Sequence, residues 1–309
     1  MVAFLLTSNK THYFTIGPPL NSSVKPIRVG GVPEHFNLPW HLEIESGAFA
    51  DAGLEVEFIE VPGGTGAMSQ MLAEDQLDVA ILLTEGGITK ILNGASNRLV
   101  KAYTTSPLIW GIHVPAHCDI QSVEQIRGRK YAISRLGSGS HLMAIVDAAE
   151  RDWNTSEMQF EIIKNLDGAR EAMAAGTAEV FLWEKFMTMP LVDAGEFRRV
   201  GERVVPWPAF VASASCEFIA SNSQRLKQML EVAQNSAQTL SESDDAVVVI
   251  SQRYDLKRED TETWFGQTEW CFDFECPTSA IEKVVRYLRE LDLVPDRDYE
   301  LDEIWHDLG

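Results

Sequence analysis

Short apolar runs that end in Gly-, Ser- or Thr-rich turns, each turn opening a helical pattern, recur along this chain and constrain its fold more than any other feature. Residues 27–32 predict a strand, followed by the loop 33–39 and a helix over 40–52 that Gly53 ends. Residues 54–61 alternate apolar and acidic side chains with period two, so one face is wet and the strand lies toward a sheet edge. Residues 78–83 are apolar almost throughout, which predicts a central strand buried on both faces. Between these two strands, Pro62-Gly63-Gly64-Thr65-Gly66 turns into a helix over 67–74. Thr84-Glu85-Gly86-Gly87 then opens a helix to Leu92, and 99–103 gives one more strand. Short β-loop-α connections of this kind predict an α/β fold with a parallel, doubly wound sheet.

The logic repeats beyond residue 107. Residues 108–114 are apolar and carry the chain out of the first lobe. A capped short helix at 122–126, strands at 130–134, 160–163 and 179–183, and helices at 137–153 and 168–175 build a second lobe, which 200–205 and 209–214 close. Residues 216–220 return the chain to the first lobe, and four helices follow, over 225–240, 244–254, 258–268 and 278–291. The expected organisation is a poorly ordered leader over 1–25, a discontinuous first lobe over 26–114 and 215–309, and a second lobe over 115–214. For a chain of 309 residues two lobes are also the expectation from length alone.

Composition removes several function classes. Lys and Arg number 26 against 46 Asp and Glu, a net charge of −20, so nucleic acid and anionic membrane surfaces are repelled. Cys118, Cys216, Cys271 and Cys276 have neither the density of a disulfide scaffold nor a paired zinc spacing, so no metal site is expected. No apolar stretch reaches the length of a membrane span. Residues 2–6 are apolar but lack a preceding basic residue and run into a polar stretch, a poor signal peptide; the expected location is the cytoplasm, or the periplasm or cell exterior if the true N-terminus carries a signal.

In open α/β sheets ligands sit beyond the carboxyl ends of the strands, so the loops there carry the candidate site. They are Pro33-Glu34-His35-Phe36, Gly63-Gly64-Thr65-Gly66, Thr84-Glu85 and Thr105 from the first lobe, and Arg135, Gly137-Ser138-Gly139-Ser140 and Trp183-Glu184 from the second. The strongest is the loop after Arg135, where glycines, hydroxyls, free helix N–H groups and a fixed positive charge combine as a cradle for a polar group. Glu34, Glu85 and Glu184 each fall just beyond a strand, and together in one cleft they would favour a ligand with amino or cationic groups. His35 is a candidate donor or proton carrier. Phe36, Trp40, Trp183, Trp207 and Phe210 are candidates for flat walls, with Phe36 and Trp207 preferred. The sequence has no P-loop lysine, no GxGxxG after a first strand, no GxSxG, HExxH or DxDxDG, and no Cys/His nucleophile spacing, and no cofactor is expected.

These residues resemble the type 2 periplasmic-binding-protein fold of the substrate-binding proteins for sulfonates, taurine and thiamine-pyrimidine precursors. The resemblance spans about residues 27–291 and rests on Arg28-Val29-Gly30-Gly31-Val32-Pro33, the 43–49 helix before Gly53-Leu54-Glu55-Val56, the 63–66 loop, Leu77-Asp78-Val79-Ala80 and the stretch 126–133. The 33–36 loop, the 135–141 loop, Trp183-Glu184 and Pro206-Trp207-Pro208 are similar to signal-less fungal and bacterial members of this fold. The resemblance implies two lobes, a hinge of two crossing strands and a small-molecule ligand clamped between the lobes. An ABC-type transporter partner follows only if the chain is exported. The cysteine-rich cluster and motif-placed lysine of the pyrimidine-precursor synthases are absent, so that activity does not transfer.

The resulting expectation is a non-catalytic protein that closes two α/β lobes over a small polar metabolite, heteroaromatic or amine-bearing. The alternative is an enzyme of thiamine-precursor or related cofactor metabolism, with His35, Glu34 and Glu184 as acid and base.

Overall fold

The computed structural model describes residues 25–309, so the leader expected over 1–25 lies, but for Lys25, outside the described residues. In chain order the first lobe contributes β1 (Ile27–Gly31), α1 (Leu38–Ser46), α2 (Ala48–Asp51), β2 (Val56–Glu60), α3 (Gly64–Ala73), β3 (Val79–Leu83), α4 (Thr84–Leu92) and β4 (Asn97–Ala102). The second comprises β5 (Ile109–Pro115), β6 (Lys130–Ile133), α5 (Gly139–Glu150), β7 (Gln159–Ile162), α6 (Leu166–Ala175), β8 (Val180–Glu184), α7 (Met189–Asp193) and β9 (Phe197–Val204). The chain returns through β10 (Phe210–Ser215) and ends in α8 (Cys216–Ser241), α9 (Ala246–Arg253), α10 (Arg258–Phe265), α11 (Thr278–Glu290) and α12 (Leu301–Ile304).

Two five-stranded sheets result, in the orders β2-β1-β3-β10-β4 and β7-β6-β8-β5-β9. In the first, β1 runs parallel to β2 and β3, and β10 inserts antiparallel between β3 and β4. In the second, β6 pairs parallel with β7 and β8, while β5 is antiparallel to β8 and β9. Each sheet is therefore mixed rather than wholly parallel. The alternating β2 is an edge strand and the apolar β3 is buried along its whole length, as their patterns require.

The expected lobe boundaries move in consequence. Residues 108–114 were assigned to the first lobe and 209–214 to the second, but β5 pairs in the second sheet and β10 in the first. Both strands are apolar and buried on both faces, so hydrophobic pattern is the same whichever sheet they enter, and only the pairing decides. The crossings fall at residues 103–108 and 205–209, two irregular segments laid side by side with Ala209 N–H donating to the Ser106 carbonyl at 2.9 Å. Thr84 Oγ1 ties the second crossing to α4 by donating to the Pro208 carbonyl at 2.6 Å.

Several helices also differ from expectation: α8 begins at Cys216 rather than near residue 225, and α12 has no expected counterpart. The helix predicted over 40–52 is broken into α1 and α2 at Gly47, whose φ of 83° is the left-handed conformation that a side chain resists. The short α7 was not anticipated. The C-terminal helices pack on the first lobe. In α11 the buried residues Ile281, Val284, Val285 and Leu288 follow the i, i+3, i+4, i+7 spacing of a single apolar stripe, which faces α4.

Candidate functional site

Between the lobes, at the carboxyl ends of β1, β3, β6 and β8, lies a cavity of about 50 Å³. The first lobe lines it with Val32, Glu34, the Gly63-Gly64-Thr65 turn, Met68, Leu83 and Phe210. The second lobe contributes Trp110, Ser134, Ser138-Gly139-Ser140 and Trp183-Glu184, and Leu108 enters from the crossing.

Each wall is fixed by local structure. At the start of α3, Gly64 has φ +66°, and Thr65 Oγ1 accepts the Leu83 N–H at 3.0 Å, which ties α3 to the end of β3. At the start of α5, the Ser138 hydroxyl donates to the Arg135 carbonyl at 2.8 Å and caps the helix by accepting the His141 N–H at 3.4 Å. Ser140 Oγ accepts the Ser134 N–H at 3.0 Å. The hydroxyls of this loop are thus engaged with the loop itself. The Gly139 and Ser140 N–H groups, which meet no carbonyl among the described residues, are what it offers a ligand.

Glu34 and Glu184 approach the cavity from opposite lobes. Glu34 is 7% exposed and its carboxyl meets no hydrogen-bond donor among the described residues; burial pushes it up to about 7. Glu184 accepts the Met187 N–H at 2.6 Å on one oxygen. Burial, and then the charge of Glu34, push it well above the usual carboxylate range. Trp110 and Phe210, both nearly buried, and the half-buried Trp183 supply aromatic walls.

Of the candidates from sequence, Glu34, Gly64, Thr65, Ser138, Gly139, Ser140, Trp183 and Glu184 line this cavity. Gly63 and the wall candidate Phe210 line it too, and the remaining candidates lie elsewhere. His35 is fully buried in the first lobe, its ring 3.9 Å from that of Trp264 and 5.2 Å from that of Phe36, with neither ring nitrogen hydrogen-bonded. Burial holds its imidazole down at about 3, which keeps it neutral, and it does not line the cavity. Phe36 packs on Phe210 and Trp264 behind the wall, and its carbonyl accepts from Tyr103 Oη at 2.8 Å. Trp40 sits in the core near Phe49 and Phe58.

Glu85 and Trp207 partner each other instead of a ligand: Trp207 Nε1–H donates to Glu85 at 2.9 Å, both side chains being buried beside the crossing. Burial pushes the Glu85 carboxyl up to about 7, against the opposing pull of its own backbone N–H and of Trp207. Thr84 holds Pro208, and Thr105 Oγ1 donates to Glu269 at 3.2 Å on the outside of the lobe. Pro33 and Gly137 flank lining residues without lining the cavity themselves. Trp110, Met68, Leu83 and Leu108 also line the cavity, and in the sequence their apolar character marks them only as core.

Arg135 does not reach into the cavity; it closes over it. Its Nη2 donates to the Gly63 carbonyl at 3.0 Å, and a β-carbon on Gly63 would lie 2.4 Å from the same nitrogen, so glycine is what admits the guanidinium. Three further ties join the lobes. Tyr287 Oη donates to Glu150 at 2.8 Å, Lys257 pairs with Asp193 at 2.6 Å, and the backbone of Gly139 abuts Leu83. The structure is a closed jaw. Among the described residues no three His, Cys, Asp or Glu side chains gather as a metal set.

Two mixed α/β lobes, two crossings and a cleft lined from both sides define the type 2 periplasmic-binding-protein fold. Residues 110–203, the second lobe, match the family model for Ca3427-like periplasmic binding proteins. The Candida albicans CA3427 gene product, described as defining a new family with the generic periplasmic-binding-protein fold, superposes with a TM-score of 0.84 at 24% identity, over 92% of this chain and 96% of that one. The alkanesulfonate-binding protein SsuA of Xanthomonas axonopodis pv. citri, bound to MOPS, gives 0.76 at 15% identity over 92% and 99%. The nitrate-binding protein NrtA of Synechocystis PCC 6803 gives 0.70 at 13% over 92% and 86%. No curated protein sequence matches the chain.

Proposed function

We propose that this protein binds a small polar metabolite, heteroaromatic or amine-bearing, between its lobes without transforming it, and that binding stabilises the closed jaw. The observation that carries this reading is an interlobe cavity with polar groups contributed by both sides: Glu34 from one, Glu184 and the Gly139 and Ser140 N–H groups from the other. A ligand that touches both lobes adds its second-lobe contacts only on closure, so closure is favoured by its differential affinity for the closed state. The solved relatives described as binding alkanesulfonate and nitrate support small-molecule binding in this fold.

The test is native mass spectrometry of protein equilibrated with a metabolite extract, followed by small-angle scattering with the recovered molecule. A bound small molecule that lowers the radius of gyration and leaves unchanged in mass supports the reading. Failure of every metabolite to alter the scattering overturns it. One observation favours a second reading: a buried carboxyl at about 7 is poised for general acid–base work, and Glu34 is one. A mass change in the bound molecule, lost in Glu34→Gln, would establish an enzyme instead. Delivery to an ABC-type transporter belongs to the binding reading only for an exported chain, which cell fractionation decides.

A further inference from the structure

We propose that the ligand is a small monocation, an ammonium or amidinium group held between Glu34 of the first lobe and Glu184 of the second, and that its entry displaces one proton from that pair. The inference rests on the binding reading above and names its ligand class.

Two carboxyl groups share the cavity, three aromatic rings wall it, and none of the described residues lining it is Lys, Arg or His. Glu34 comes from the loop after β1 and Glu184 from the end of β8, so the pair forms only when the lobes shut. Neither side chain has a cationic partner within salt-bridge distance among the described residues. Lys185 pairs with Glu202 at 3.0 Å, and Arg135 is spent on the Gly63 carbonyl. A buried carboxylate without a counter-charge is among the costliest arrangements in a protein, and two facing each other are worse. A cavity of this kind is neutral in one of two ways: both carboxyls hold a proton, or a monocation replaces one of the two protons. The aromatic walls favour the second when a cation is present, since ring faces attract positive charge.

The other groups that bear on the pair do not change its sign. Glu34 also faces the Tyr254 hydroxyl, which burial keeps protonated, and Glu184 feels Lys185, whose effect is smaller than that of burial. The upward displacement of both carboxyls, to about 7 for Glu34, agrees with a pair that keeps a proton near neutrality when no cation is bound. Size narrows the class. A cavity of about 50 Å³ holds roughly three to five water-sized bodies, so the charged head is compact. The free N–H groups of Gly139 and Ser140 would receive an acceptor atom of the same molecule. The ligand keeps its own N–H bonds; the displaced proton leaves a carboxylic acid and passes to the buffer.

Titration calorimetry of the whole protein at pH 6.5 with guanidinium, acetamidine and glycinamide, against acetamide and methanesulfonate, tests this. Each is measured in two buffers of different ionisation enthalpy. The expected result is binding of the cationic probes with release of about one proton per molecule, and no binding of the neutral or anionic probes. Glu34→Gln and Glu184→Gln should each weaken the cation at least tenfold, and the double variant should abolish both the binding and the proton release. Both variants lose a buried charge and should fold, which a thermal melt verifies. Cation affinity unchanged in both variants, binding without proton release, or tighter binding of methanesulfonate overturns the assignment. If methanesulfonate also closes the lobes in scattering, the closure reading survives while the cation falls. If neither the probes nor a metabolite extract alters the scattering, both fall.

Discussion

His35 illustrates how one side chain's surroundings override its chemistry. Flanked by Glu34 on a ligand loop it invites a catalytic role, but its ring lies among Phe36, Tyr254 and Trp264 with both nitrogens unpartnered. Its folded value of about 3 lies below the ordinary 6.5, so the unfolded chain binds this proton more readily, and the contribution of His35 to stability is lost as pH falls from about 6.5 toward 3. His35→Leu should gain on the wild type by about 2 kcal/mol between pH 7 and pH 5, read from urea midpoints at the two pH values. It should leave ligand affinity unchanged; loss of binding would return His35 to the site. Glu85 makes the converse case, since Trp207 is its one side-chain donor among the described residues. Trp207→Phe strands a buried carboxyl and should cost roughly 1–3 kcal/mol. The loss should be larger at pH 8 than at pH 5, because Glu85 carries its charge only above about 7.

At the scale of elements, the apolar runs and their turns are legible because strand and helix patterns are local. β2 reads as an edge strand and β3 as a central one from their residues alone, and both take those places. The membership of β5 and β10 is not legible, because an apolar strand carries no mark of which sheet will pair with it. Nor does the start of α5 declare that it meets the other lobe. A β-carbon on Gly139 would lie 2.3 Å from Leu83 Cδ1 and 2.9 Å from the Trp110 ring, while its own backbone is compatible with any residue. Gly139→Val should therefore crowd Trp110 within its own lobe and hold the jaw ajar against Leu83. A larger radius of gyration in scattering and an affinity at least tenfold weaker for the ligand are expected, with a lower thermal midpoint. A variant that closes like the wild type would show that α5 does not gate the cleft.

For the whole molecule, the proposed carboxyl pair would couple closure to protonation. Burial raises Glu34, and burial with the charge of Glu34 raises Glu184, above the usual carboxylate value, so a lobe opening that wets the pair should release protons. The ligand-free protein should accordingly be closed near pH 5 and open progressively as pH rises through about 7. A fluorescence-transfer pair, one dye on each lobe, reads this directly. Double substitution of Glu34 and Glu184 by Gln should flatten the dependence, and a pH-independent wild type would remove the pair from control of closure. The surface charge of −20 acts in the same direction but more weakly, since exposed charges are screened over about 8–10 Å at ordinary salt.

The sequence by itself determined the alternation of strands and helices, the two-lobed plan and the placing of Glu34, Glu85 and Glu184 beyond strand ends. Periodicity, capping and turn chemistry act over a few residues and leave their signature in the chain. Only the tertiary structure decided that Glu34 and Glu184 meet in a cavity while Glu85 turns to Trp207, that Phe210 and Trp110 rather than Phe36 and Trp207 form the walls, and that Arg135 is a clasp. The physical reason is that these pairings join residues far apart in the chain and, at the cleft, from separate lobes. Their existence depends on side-chain direction and on closure, neither of which any local pattern encodes.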